Sequence, residues 1–303
     1  MASARFHFGV VAAALTDQVR DAGRLARVAG FDGVLVEAYS PALDLPALSV
    51  TGRREFLRTL SSQDRQLVGL RVELGRKGLG PAADVDQALV RVDRVLEAAK
   101  GLAAPRVCLD LGPLPAPPAA PRPKPNVTPQ QAGLIIIPQT SAEPQERPTP
   151  SPPPDTAAMS QVDAALVELG RRADRYGVSV AMRSDLSSLA ALERALRAAD
   201  CPWFGVDLDP VAVLQDAWDQ DEAFSRLGAL VRHVRGRDAV RGSDRRTRPA
   251  VVGNGDTEWE DFLADLDAAG YAGWITLDPL ELSDRADAAS AGLRHLRSLS
   301  GAA

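Results

Sequence analysis

Residues 178–210 read VSVAMRSDLSSLAALERALRAADCPWFGVDLDP and contain one strand–helix–strand unit. The first apolar run ends at Arg183, and the last one ends at Asp209. Between them, SSLAALERALRAAD has the apolar spacing that is typical of a helix. Two short buried strands joined by a helix are predicted to be parallel. Charged side chains at the carboxyl ends of such strands are the pattern from which an α/β barrel builds its site.

The same unit recurs on both sides of this stretch. Downstream, RHVRGRD carries Arg235 and GWITLDP ends at Asp278. Upstream, RFHFGVV, FDGVLVEA, LVGLRVEL and PRVCLDLG are predicted as strands one to four. Eight such units with nearly continuous apolar strands predict a parallel sheet that helices cover and that closes into a (β/α)8 TIM barrel. We expect residues 1–303 to form this one barrel.

A proline-rich segment interrupts the repeat after strand four. Residues 113–154 contain 15 of the 23 prolines of the chain. Proline lacks a backbone N–H and disfavours both helix and sheet, so this composition predicts an extended insert loop. The apolar patch QQAGLIIIPQ within it leaves two interpretations open. It is a short strand or plug docked on the barrel rim, or a lid over the site.

Composition limits the classes of function. The 303 residues are 45% hydrophobic, and their net charge of −5 gives no general attraction to nucleic acid or to an anionic membrane. No apolar run approaches the roughly 20 residues of a membrane span, and the N-terminus lacks the pattern of a signal peptide. A cytoplasmic protein is therefore expected. Cys108 and Cys201 lie in apolar runs without CxxC spacing, which predicts reduced core thiols.

Further charged residues near strand ends are predicted to share the barrel mouth. Positions two apart lie on the same face of a strand, so an inward Arg183 implies an inward Ala181. His7 and His233 could also face the interior, but a lone histidine on a strand is more often a packed core residue than a catalytic one. The additional charged residues are Glu37, Arg71, Glu73, Asp110, Asp207 and Arg237.

Four segments resemble a known family in the expected order. VVGNGDTEWEDFLADLDAAGYAGWITLDPLE (251–281) resembles the last unit of the xylose isomerase-like barrels. FDGVLVEA, GVDLDP and HVRGRD resemble the second, sixth and seventh strands of that family. The resemblance covers most of the chain outside 113–154. It implies a TIM barrel with the activity of a sugar or sugar-phosphate isomerase or epimerase.

The resemblance also implies a divalent metal site, and here the sequence departs from the family. Family members hold the ion with Glu, Asp, His and Glu on strands five to eight, and a further His follows the strand-six Asp. That further position is Ala212. Arginine has no lone pair to offer and stays protonated, so it cannot ligate a metal. We expect the two arginines to pair with the two aspartates and to replace the ion, with no cofactor. The positions that match the four ligands are Arg183, Asp209, Arg235 and Asp278.

A nucleic-acid partner is not expected, although the superfamily also contains apurinic endonucleases. Their chemistry relies on several metal ions and many histidine and carboxylate ligands, whereas this chain has three histidines. The basic stretch AVRGSDRRTRP (239–249) after strand seven is predicted to be a solvated loop.

Two hypotheses for function remain. In the first, the chain is an isomerase- or epimerase-like enzyme that binds a small polar or anionic ligand without a metal. In the second, it is a non-catalytic relative that serves as a ligand-binding or interaction module, and its Arg–Asp pairs are structural. The predicted catalytic residues are Glu37, Asp110, Asp209 and Asp278. The predicted ligand-binding residues are Arg71, Glu73, Arg183, Asp207, Arg235 and Arg237.

Overall fold

Eight parallel strands close into a barrel in the computed structural model, which describes residues 6–80, 82–115, 117, 156–183, 187–216, 218–242 and 246–300. Neighbouring strands pair in chain order, and the first pairs with the last, with His7 opposite Trp274. The predicted (β/α)8 TIM barrel is thus confirmed. The strands are β1 (His7–Val11), β2 (Gly33–Glu37), β3 (Gln66–Glu73), β4 (Arg106–Asp110), β5 (Ser179–Arg183), β6 (Phe204–Leu208), β7 (Val231–Gly236) and β8 (Trp274–Leu277).

Helices cover the outside of the barrel, and each connection from one strand to the next contains at least one of them. The β6–β7 connection contains two, and short 3-10 turns lie at Ala12–Ala14 and Gly228–Leu230. The helices are α1 (Val19–Ala29), α2 (Val50–Ser62), α3 (Val85–Gly101), α4 (Thr156–Tyr176), α5 (Leu189–Ala199), α6 (Pro210–Gln215), α7 (Gln220–Leu227), α8 (Trp259–Ala268) and α9 (Arg285–Leu299).

Side chains that alternate in direction along each strand form two buried layers, one between the barrel and the helices and one inside the barrel. On β5, Val180 and Met182 point outward and pack in the main core between the barrel and the helices. Ala181 points inward and belongs to a smaller cluster inside the barrel. Arg183 lies two positions after Ala181 and therefore points inward into the barrel mouth, as the sequence predicts. The interior cluster consists of Val11, Leu35, Val68, Cys108, Ala181 and Trp274.

Local signals set the ends of several helices. The predicted cap of α3 is confirmed, because the Asp84 side chain accepts a hydrogen bond of 3.0 Å from the Gln87 N–H. Ser188 caps α5 in the same way through the Ala191 N–H. Helix α1 ends at Gly30, whose φ of 89° is the left-handed conformation that favours glycine. Sequence chemistry thus fixes where these helices begin and end.

Two short hairpins lie at the carboxyl-terminal face of the barrel, and the second falls where the sequence predicts a loop. Tyr39–Ser40 pairs with Leu43–Asp44, and Asp238–Arg241 pairs with Thr247–Ala250. The prediction of a simple loop over 239–249 is therefore wrong for the paired residues. The second hairpin has little apolar alternation, so its strands leave no periodic signal. Its first residue, Asp238, is anchored by five hydrogen-bond donors.

The proline-rich insert lies almost wholly outside the described residues, which include only 113–115 and 117 of its span. The predictions of a rim plug or a lid concern residues that the structure does not describe. Within the part of the chain that is described, no helix is long and apolar enough to cross a membrane.

Candidate functional site

The strand register brings the predicted site residues together at the carboxyl-terminal mouth. Glu37 lies opposite Arg71 across β2 and β3, and Asp110 lies opposite Arg183 across β4 and β5. Glu73 lies opposite Asp110. Charged side chains from neighbouring strands therefore face one another over the same end of the barrel.

One half of the mouth is held by Arg183. Its guanidinium contacts the carboxylate of Asp110 and donates a hydrogen bond of 3.4 Å from Nη1 to Asp209 Oδ2. Arg237 Nη1 lies 3.3 Å from the same Asp209 oxygen, and its Nη2 lies 3.2 Å from Glu281 Oε2 at the rim. Two guanidinium groups thus converge on one oxygen of Asp209.

The other half of the mouth is built on Asp278. Its Oδ2 accepts hydrogen bonds of 2.5 Å from Arg235 Nε and 3.0 Å from Arg71 Nη1. Arg71 also contacts Glu73 at the rim. Burial raises the pKa of Asp278, but the charges of Arg235 and Arg71 outweigh it and hold this pKa below its ordinary value. Burial by itself lowers the pKa of Arg235. The negative charges of Asp278 and Asp209 raise this pKa by more than burial lowers it, so the net shift is upward.

The same turn orients each of the three aspartates that pair with these arginines. Asp110 Oδ1 accepts from the Gly112 N–H at 3.0 Å, and Asp209 Oδ1 accepts from the Val211 N–H at 3.0 Å. In the same way, Asp278 Oδ1 accepts a bond of 3.3 Å from the backbone N–H two residues further on. An aspartate at a strand end bonds its own backbone with one oxygen and presents the other to a guanidinium.

The charges of this network cancel. Within this network three arginines and three aspartates are at most 9% exposed, and the formal charges of these six side chains sum to zero. The expected pairs Arg183–Asp209 and Arg235–Asp278 are both present. The buried members are Arg71, Arg183, Arg235, Asp110, Asp209 and Asp278.

This donor set does not fit a divalent cation. Both oxygens of Asp209 and both of Asp278 already accept hydrogen bonds from guanidinium or backbone donors. The other two positions that match the family ligands are guanidinium groups, which carry no lone pair. A cation among them would meet two positive charges at close range.

A second polar layer lies below the mouth, inside the barrel. His233 is fully buried, with Nδ1 2.6 Å from Asp207 Oδ1 and Nε2 2.8 Å from Thr276 Oγ1. Burial raises the pKa of Asp207, but His233, Arg235 and Arg183 together outweigh burial, so this pKa is lowered. Asp207, a predicted ligand-binding residue, therefore lies one layer beneath the other predicted residues.

Among the described residues, Cys108, Asp207 and His233 form the one cluster whose ligand atoms all lie within 4.8 Å of one another. Both ring nitrogens of His233 already contact polar partners. Burial raises the pKa of the Cys108 thiol well above its ordinary value, which keeps the sulfur neutral. A metal prefers the thiolate, so this cluster is a packed polar core.

An open cleft of about 310 Å³ lies beside the network, over β1, β2, β3 and β8. Glu37 reaches it from the end of β2, and its Oε1 is buried without a hydrogen-bond partner among the described residues. Burial raises the pKa of Glu37, and the nearby charge of Arg71 only partly offsets this. The residues that line the cleft are Ala13, Glu37, Tyr39, Arg71, Val72, Glu73, Arg91, Leu280 and Arg285.

Two charged residues of the cleft are absent from the sequence-based prediction. Arg91 lies on α3 and Arg285 begins α9, so neither belongs to a strand end. Both are surface positions of amphipathic helices, where a charged residue is ordinary. Only the three-dimensional arrangement identifies them as part of the site.

Solved structures that are similar to this chain share its barrel at low sequence identity. A xylose isomerase domain protein from Planctomyces limnophilus superposes with a TM-score of 0.70 at 15% identity, covering 98% of this chain and 96% of that one. D-Psicose 3-epimerase from Clostridium cellulolyticum H10, solved with D-tagatose, gives a TM-score of 0.70 at 14% identity, with 97% and 99% coverage. A xylose isomerase-like TIM barrel protein from Mycobacterium smegmatis, solved with magnesium, gives 0.67 at 14%, with 100% and 99% coverage.

Sequence comparison supplies the family itself. No curated protein matches the chain. The family model described as xylose isomerase-like TIM barrel matches residues 24–299. Since this match spans most of the chain, the protein belongs to the xylose isomerase-like TIM barrel family, whose members include sugar isomerases and epimerases.

Proposed function

We propose that this chain is an isomerase- or epimerase-like protein that binds a small sugar-like or anionic ligand in the Glu37 cleft without a divalent metal. The observation that carries the proposal is the Glu37 carboxyl group. It is a half-buried acid whose buried Oε1 has no hydrogen-bond partner among the described residues, and it faces an open cleft at the end of the barrel where sites form. Its raised pKa moves it toward the range in which a carboxyl group both accepts and returns a proton.

The chemistry that Glu37 would carry is proton transfer next to a carbonyl group. As a carboxylate, it removes a proton from the carbon beside the carbonyl, and the electron pair of that C–H bond moves into an enediolate. Protonated Glu37 then returns the proton to the adjacent carbon while the hydroxyl proton moves from one oxygen of the enediolate to the other. The carbonyl group thereby shifts by one carbon, so the product is an isomer and no oxidant or reductant is consumed. The Arg71 guanidinium, held by Asp278 and Glu73, offsets the negative charge that develops.

In this proposal the Arg–Asp network takes over the charge balance that a metal supplies in the family. The neutral set of three guanidinium and three carboxylate groups needs no cation. The remaining predicted catalytic acids, Asp110, Asp209 and Asp278, are committed to this network and hold the cleft wall in place. The sugar named in the similar epimerase structure supports a ligand of that size.

The test is exchange of a carbon-bound proton in D2O, followed by ¹H NMR. The protein is incubated with a panel of aldoses and ketoses in the presence of EDTA. We expect exchange at the carbon beside the carbonyl, and we expect Glu37→Gln to abolish it. Glu281→Gln, a rim acid outside this cleft, is the matched control. Exchange that needs added Mn²⁺, or that survives in Glu37→Gln, would contradict the proposal.

A second candidate is a non-catalytic binding module, and the filled mouth favours it. Every predicted arginine of the mouth contacts a carboxylate, which is the arrangement expected when the pairs are structural. This candidate predicts ligand binding in the cleft with no proton exchange on any sugar of the panel. The same NMR series therefore separates the two functions.

A further inference from the structure

The arginines of the mouth fall into two groups. Four of them, Arg71, Arg183, Arg235 and Arg237, contact carboxylates within the network. The positive charges of these four guanidinium groups are thus already neutralised, and an incoming anion would have to break existing ion pairs to reach them.

Arg91 and Arg285 form the other group. Neither has an ion-pair partner among the described residues, and both line the Glu37 cleft. They approach it from different elements, Arg91 from α3 and Arg285 from the start of α9. The cleft therefore offers two positive charges without an ion-pair partner among the described residues, beside the Glu37 carboxyl group.

Contacts with Tyr39 hold Arg91 at the cleft edge. The guanidinium carbon of Arg91 lies 4.1 Å from the centre of the Tyr39 ring, within the range of a cation–π interaction. The Tyr39 hydroxyl also donates a bond of 3.1 Å to the backbone carbonyl of Arg91. This stacking leaves the guanidinium edge, which carries the N–H donors, available to a planar oxyanion.

The space around Arg91 continues beyond the Glu37 cleft. A groove of about 720 Å³ shares Tyr39, Glu73 and Arg91 with it. Lys77 and Arg94 also line this groove, together with one further acid, Asp84, so most of its charged side chains are positive. A ligand with its carbonyl carbon at Glu37 has room to place a charged end toward Arg91.

We infer that the ligand of this cleft carries an oxyanion, a carboxylate or a phosphate, which Arg91 and Arg285 bind while Glu37 faces the reacting carbon. This inference rests on the proposed function and narrows its substrate class to acidic or phosphorylated sugars. Guanidinium groups bind such oxyanions through paired N–H donors, and neutral sugars offer them no charge to neutralise.

The experiment is calorimetric titration of the full chain with three probes: D-glucose 6-phosphate, D-glucuronate and D-glucose. We expect at least one anionic probe to bind about tenfold or more tightly than D-glucose, since a hydrogen bond between two charged groups is stronger than one to a neutral hydroxyl. The phosphate and carboxylate arms show which oxyanion is preferred. We expect the Arg91→Gln/Arg285→Gln double variant to lose this preference and to keep its affinity for D-glucose. Arg294→Gln, an exposed arginine on the same helix α9 that lies outside the cleft, is the control.

Three results would overturn the inference. Equal affinity for the anionic and neutral probes would refute it and leave the proposed function standing. An anionic preference that survives in the double variant would place the oxyanion elsewhere. Failure of all three probes to bind, together with no Glu37-dependent proton exchange, would contradict the proposed function and this inference with it.

Discussion

Asp278 offers the sharpest test of the buried charge network, through the substitution Asp278→Asn. This change keeps the size of the side chain and removes its charge. It leaves Arg71 and Arg235, which are 9% and 7% exposed, without their shared carboxylate. Removing one partner of a buried ion pair costs about 3–5 kcal/mol, against a total stability of about 5–15 kcal/mol for a folded domain.

The assay is urea unfolding followed by circular dichroism, with thermal unfolding as a second readout. We expect the free energy of unfolding to fall by about 3–5 kcal/mol and Tm to fall by about 10 °C. Glu281→Gln is the matched control. Glu281 also pairs with an arginine, at 3.2 Å, but its side chain is 54% exposed, so we expect a loss below about 1 kcal/mol.

The pH dependence of this loss gives a second check. The pKa of Asp278 is lowered in the folded state, so its stabilising effect is present above the unfolded pKa of about 3.9 and fades as the pH falls below it. The difference in the free energy of unfolding between the original chain and Asp278→Asn should therefore become smaller at acidic pH. A loss below about 1 kcal/mol at pH 7, equal to that of Glu281→Gln, would refute the buried network as a stabilising unit.

Two further predictions concern Glu37 and Asp238. Glu37 has a raised pKa in the folded state, so its ionisation opposes folding as the pH rises above its ordinary value of 4.5. We expect Glu37→Gln to raise Tm at pH 7 but not at pH 4. A lowered Tm at pH 7 would contradict the upward shift of the Glu37 pKa in the folded state. Asp238 accepts hydrogen bonds from the backbone of Gly253, Gly255 and Thr257 and from the Trp259 indole. We expect Asp238→Asn to cost about 2–4 kcal/mol and to speed amide hydrogen exchange at 253–257; unchanged exchange there would refute the anchoring role.

Much of the fold follows from the sequence because its signals are local and repeated. Apolar runs ending in a charge predict strands β5 to β8, and the helix between β5 and β6 falls where its apolar spacing places it. The hairpin that begins at Asp238 could not be predicted in this way. It depends on hydrogen bonds from residues 15 to 21 positions away along the chain, which no periodic pattern encodes.

Only those site residues that lie at strand ends could be predicted from the sequence. Strand parity and the family pattern correctly pair Arg183 with Asp209 and Arg235 with Asp278. The sequence does not predict that Asp110 and Arg71 complete the two halves, because that depends on which neighbours the barrel curvature brings within reach. Arg91 and Arg285 lie on helices and are recognisable only from the shape of the cleft.

The most direct test of the central claim is the measurement of Mn²⁺ binding to the intact chain after dialysis against EDTA. The claim is that the Arg–Asp network occupies the place of the family metal and makes a cation unnecessary. We predict no saturable Mn²⁺ binding by calorimetry, and no anomalous scattering peak in crystals soaked in MnCl2, between Arg183, Asp209, Arg235 and Asp278. One tightly bound Mn²⁺ per chain, coordinated by Asp209 and Asp278, would contradict the account.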